Sequence, residues 1–140
     1  MFKLKKILNN RHNAPEPELL DLDYDCFGKK ECIYYLCLGK LSITSDANQR
    51  QALYVIYDEV DEMAQKRTVE CVRITPDMIF EVDGNAFAQG DRFSLARDFE
   101  RGGFNRIEKV VDSAPSDGFV VDTSMQSTKG KILIRFHCTQ

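Results

Sequence analysis

The sequence predicts an all-β protein, a small single-domain barrel or sandwich of short antiparallel strands, preceded by an extended N-terminal arm. Three observations carry that prediction. Short apolar segments recur about every 8 to 14 residues, the spacing of a small barrel or sandwich. They are separated by turn chemistry, of which Thr75-Pro76-Asp77, Asp83-Gly84-Asn85 and Ser113-Ala114-Pro115-Ser116-Asp117-Gly118 are the clearest cases. The composition, 43% hydrophobic and 29% charged over 140 residues, is that of one globular domain. A chain of this length buries about 68% of its unfolded surface around a single core without needing disulfides.

The stretch from Cys71 to Asp98 organises the rest. Val72 and Ile74 end one apolar segment, and Pro76, which cannot donate to a strand ladder, places a corner after it. Met78, Phe80 and Val82 then alternate with polar neighbours as a half-buried strand requires. Gly84 and Asn85 tolerate positive φ and make the next break, and Gln89-Gly90-Asp91 launches Phe93 and Leu95.

Along the chain, residues 1–12 fit either one or two helical turns or a short strand with Phe2 and Leu4, extended by Ile7 and Leu8, on its apolar side. Pro15 and Pro17 impose an extended connection, so residues 1–18 read as a basic arm with a hinge and residues 19–140 as the β domain. Leu19 to Tyr24 enter the sheet, with Leu20, Leu22 and Tyr24 on one face. Asp21, Asp23 and Asp25 on the other face mimic the start of a calcium loop. The match fails where Cys26 and Cys32 occupy the glycine and bidentate-acid positions. Glu31 to Ser42 reads as a hairpin cut at Gly39, its first strand buried on both faces. Leu53 to Tyr57 is a strand, and Asp58 to Lys66 fits either a short helix or a charged excursion. Ile107 to Val111, Phe119 to Val121 and the alternating Ile132, Ile134 and Phe136 supply further strands, with a polar loop from Asp122 to Gly130.

Charge and cysteine usage narrow the function classes. Lys3, Lys5, Lys6 and Arg11 stand in residues 1–13 without an acid, leaving 15 basic against 22 acidic residues, a balance of −7, in the rest. An acidic body is a poor partner for phosphate backbones, so no nucleic acid is expected. Apolar runs fall short of the ~18 residues of a membrane span, and the basic N-terminus lacks the apolar region of a signal peptide. Five cysteines at irregular spacing read as reduced core thiols. With only His12 and His137 to help them, neither a metal site nor a bound cofactor is expected. No phosphate-cradling glycine motif is present, and His137 cannot pair with the adjacent Cys138 along a strand because neighbouring side chains point to opposite faces, so the expectation is a protein that is not an enzyme.

The ordered set Asn13 to Glu18, Arg73 to Val82, Ala88 to Asp91, Gly118 to Asp122 and Ile132 to Phe136 resembles small phage and prophage structural proteins of the head-decoration or head-fibre kind. The resemblance implies a β domain that binds a repeated protein lattice, a capsid or another phage structural protein, and does no chemistry. It also implies a homo-oligomer, with a trimer one option, made in the bacterial cytoplasm during assembly and carried on the virion if the prophage is active. On that reading Phe2, Lys3, Leu4, Lys5, Lys6 and Arg11 contact the partner, with Pro15 and Pro17 setting the arm's direction. The alternative from the residues alone is a small ligand- or carbohydrate-binding β module, with Tyr34, Tyr35, Tyr54 and Tyr57 lining a groove.

Overall fold

Among the described residues, eleven strands and a single helical turn arise in chain order: β1 (Lys3–Ile7), β2 (Glu18–Asp21), β3 (Ile33–Cys37), β4 (Lys40–Ser42), β5 (Leu53–Ile56), β6 (Thr68–Arg73), β7 (Met78–Asp83), β8 (Arg92–Ala96), β9 (Arg106–Lys109), β10 (Gly118–Asp122), α1 (Gln126–Lys129) and β11 (Lys131–Phe136). They come from a computed structural model that describes residues 1–8, 16–44, 51–111 and 113–137. The strands form a six-stranded sheet in the order β1-β7-β11-β10-β8-β9 and a five-stranded sheet in the order β2-β6-β5-β3-β4. Every pairing between strands is antiparallel. The architecture is a sandwich, and the sheets do not close into a barrel.

Two apolar cores explain why some strands alternate and others do not. The six-stranded sheet buries one face only: Met78, Phe80 and Val82 from β7 and Ile132, Ile134 and Phe136 from β11 point inward at a period of two. Opposite them Ile33, Leu53, Val55 and Val72 of the five-stranded sheet complete the inter-sheet core. The other face of that second sheet is covered too, by the loops around Leu22, Cys26, Cys32 and Val60, which pack on Tyr34, Tyr54, Ile56, Val69 and Cys71. All four residues of β5 are therefore buried, and its run Leu-Tyr-Val-Ile carries no polar position.

Residues 3–7 are a sheet strand, the second of the two readings offered for residues 1–12, and the extended N-terminal arm is not confirmed. β1 pairs with β7, and Phe2 ahead of it lies in the inter-sheet core. A bulge between Leu4 and Lys6 adds one residue to the strand, so Leu4 and Ile7, three apart, both pack against the core. Leu8 continues the contact by donating its N–H to the carbonyl of Asp77 at 2.7 Å. The chain then passes from one sheet to the other, and Pro17 precedes β2 at the edge of the second sheet. β2 ends at Asp21, which corrects the reading of a strand through Tyr24: that residue lies beyond the ladder and is exposed.

Two segments left open or read as loop take definite form. Asp58 to Lys66 is a loop: Val60 exchanges backbone hydrogen bonds with Gly28 at 2.8 and 2.9 Å, which holds it extended. Asp58, the candidate helix cap, accepts from the N–H of Glu70 instead, at 2.8 Å. Conversely, the polar stretch before β11 contains α1, one turn closed by Gly130 at φ 65°. Gln126 of that turn clasps Phe87 through both main-chain groups, at 2.9 and 2.8 Å, and so anchors the loop after β7.

Candidate interaction surface

The first feature follows from turn chemistry. β3 and β4 are joined by the two residues Leu38 and Gly39, with φ of 50° and 79°, the signs of a type I′ turn. Gly39 suits that geometry, whereas Leu38 is a leucine in the left-handed region and is 100% exposed. A left-handed conformation costs an L-residue other than glycine ~1–2 kcal/mol, and here no packing offsets it.

The second feature is a polar cleft of about 210 Å³ lined by Asp21, Leu22, Tyr24, Lys40, Gln65, Lys66, Arg67 and Thr68. Of these, Arg67 is only 6% exposed. One terminal nitrogen donates to the carbonyls of Asp61 and Glu62 at 3.4 and 3.3 Å. The other donates to the carbonyls of Asp23, at 3.0 Å, and Cys26. The guanidinium thus stitches the loop after β2 to the loop before β6, and its Nε is buried without a hydrogen-bond partner among the described residues. Tyr24, 71% exposed, lies over two cations, with Lys40 Nζ 5.3 Å and the Arg67 guanidinium carbon 5.4 Å from its ring centre.

The sequence-level candidates distribute differently. Lys3, Lys5 and Lys6 are exposed on the edge strand β1, and Lys5 pairs with Glu81 at 3.6 Å. Phe2 is buried in the core and Leu4 is half-buried against it. Pro17 is exposed, while Arg11 and Pro15 lie outside the described residues. The calcium-like aspartates diverge. Asp21 accepts from the Thr68 hydroxyl at 2.6 Å, Asp23 from the N–H of Tyr24 at 2.7 Å and Asp25 from the Thr44 hydroxyl at 3.3 Å. Among the described residues no group of three His, Cys, Asp or Glu side chains is arranged to hold a metal. No described helix is long and apolar enough to cross a membrane.

Comparison of the chain with protein-family models, with curated protein sequences and with solved structures finds no match.

Cys26, Cys32 and Cys71 are buried free thiols. Burial pushes them up to about 12, about 11 and about 12, keeping them protonated and unreactive. Tyr34 is wholly buried; its hydroxyl donates to the carbonyl of Phe27 at 2.7 Å and accepts from the N–H groups of Lys29 and Gly103, each at 3.2 Å. It is a structural pin and lines no open groove. The Ser116 hydroxyl meets the His137 ring at 2.9 Å. The neighbouring carboxylate of Asp117, raised above its ordinary range by burial, accepts from the N–H of Leu95 at 2.7 Å.

Sequence reasoning missed Leu38, Lys40, Lys66 and Arg67. A leucine directly before Gly39, where a type I′ turn favours asparagine or aspartate, was the one available signal. Nothing in the charged run from Asp58 to Arg67 distinguishes the buried arginine from its solvated neighbours.

Proposed function

We propose that the chain is a non-enzymatic accessory protein that docks on a repeated protein lattice, of the kind implied by its resemblance to phage head-decoration and head-fibre proteins. The observation that supports this reading is Leu38. A fully exposed apolar side chain held in a disfavoured backbone conformation at a hairpin tip has no role in the fold, and such strain points to function. Leu38 is the contact that enters a pocket on the partner. The lysines of β1 provide a second, electrostatic contact to an acidic subunit surface.

Each contact is small, and its strength on a lattice comes from repetition: several copies in one homo-oligomer engage several subunits at once. The partner is a capsid or other phage structural protein. The protein joins it in the bacterial cytoplasm and stays with the virion where particles are made. On this reading the docking face lies at the β3–β4 tip and the β1 edge, since Phe2 and Leu4 are committed to the core.

The test is co-sedimentation with assembled capsids from the same host. The wild-type protein is expected to pellet with the shells. Leu38→Asn is expected to stay folded and remain largely in the supernatant. Equal pelleting of both proteins, or no pelleting of the wild type, overturns the reading.

A further inference from the structure

We infer that the cleft between Tyr24, Lys40, Lys66 and Arg67 is a binding site for a phosphate group, free or carried on a small phosphomonoester. Charge comes first. The molecule is net −3, yet this cleft gathers three cations against one acid, Asp21, whose carboxylate already accepts from Thr68 at 2.6 Å. Neither Lys40 nor Lys66 makes an ion pair among the described residues, and both are exposed at the cleft wall. A local field of this sign inside an acidic protein concentrates anions at one place.

Arg67 supplies the second, independent observation. Its charge is almost fully removed from water, and among the described residues no carboxylate forms an ion pair with it. Four carbonyl dipoles hold its terminal nitrogens, while Nε has no hydrogen-bond partner among the described residues. A buried guanidinium held by carbonyl dipoles without a direct ion pair carries an unneutralised positive charge beside the cleft. An anion in the adjoining cleft is attracted by that charge through its field, while the exposed Lys40 and Lys66 make the direct contacts.

Size and shape select the ligand. At about 210 Å³ the cleft is smaller than the ~300–1,000 Å³ of pockets for drug-sized ligands, so it takes a phosphate-sized head group. The Lys40 and Lys66 ammoniums and the Gln65 amide are the donors within its lining. The exposed ring of Tyr24 beside them offers a flat face for stacking by a base or other ring attached to the phosphate.

The experiment measures melting temperature and backbone amide shifts of the full chain with inorganic phosphate, with adenosine monophosphate and with adenosine. Sodium chloride at matched ionic strength is the control. Phosphate and the monophosphate are expected to stabilise the protein in proportion to occupancy and to shift the amides of Tyr24, Lys40 and Thr68, whereas adenosine and chloride leave them in place. Lys40→Glu and Lys66→Glu, both at exposed positions, are expected to weaken binding by about tenfold each, as reversing a charge near an anion requires. If Tyr24→Ala lowers the monophosphate's affinity to that of inorganic phosphate, the bound species is the ester; if the two are equal in the wild type, it is free phosphate. No response to phosphate at ~10 mM, a response that chloride reproduces, or one that both charge reversals leave unchanged overturns the assignment.

Discussion

Phe2 packs on Phe136 with ring centroids 6.2 Å apart, which ties the residue before the first strand to the end of the last one. The same Phe136 ring takes edge contacts from Phe80 at 5.6 Å and Phe93 at 5.4 Å, so Phe2 completes a cluster of four rings. Phe2→Ala is expected to cost ~3–5 kcal/mol, the range for emptying a buried aromatic site. Urea denaturation measures it. A free arm would give no change.

Leu38→Asn is expected to raise stability by ~0.5–1.5 kcal/mol, because asparagine tolerates the left-handed conformation that Leu38 adopts at φ 50°. Thermal melts read the gain. The same substitution is expected to remove lattice binding, and this opposition of stability and binding separates a functional leucine from an incidental one.

Gly103 and Tyr34 form a pair in which each fits only the other. A Cβ built at Gly103 would lie 2.4 Å from the tyrosine ring, and the hydroxyl beyond it satisfies three backbone groups. Tyr34→Phe is expected to cost ~2–5 kcal/mol by leaving buried donors and an acceptor unpaired. Gly103→Ala is expected to cost a comparable amount through displacement of the ring. Denaturant midpoints of the two variants and their double mutant check both values. The combined loss is expected to fall short of the sum.

The buried thiols make stability depend on alkaline pH. Cys26, Cys32 and Cys71 hold their protons in the folded state to about 12, about 11 and about 12 because burial disfavours the thiolate. Unfolded cysteines release theirs at ~8.5. Above that pH the unfolded chain binds fewer protons than the folded one, so stability is fully present below ~8.5 and declines as pH rises through the folded values. Urea midpoints between pH 7 and 11 are expected to fall, and to fall less in a variant with all three cysteines replaced by alanine. At neutral pH the three thiols are expected to resist alkylation until the protein unfolds.

Legibility in the sequence followed period and locality. β7 and β11 bury every second residue and were readable directly, as was the corner at Thr75-Pro76-Asp77, because those signals are complete within a few residues. β1 was ambiguous for a physical reason: the bulge at Lys5 spaces its inward residues, Leu4 and Ile7, three apart, which imitates a helical period. α1 is four residues long, too short for any period to show. The cleft was invisible because Arg67 is buried by two loops that meet only in the folded chain. A charged run carries no mark of which member is enclosed.

The pairing of Lys3 with Glu81 has a consequence in time. A ribosome adds roughly 5–20 residues per second, so the first strand waits several seconds for the partner that will cover it. During that interval Phe2, Leu4 and Ile7 have no sheet to join, whereas the β3–β4 hairpin can already close on itself. Lys3, Lys5 and Lys6 stand between and beside those apolar residues as gatekeepers of the nascent chain. Their positive charges repel neighbouring copies while the edge is still bare.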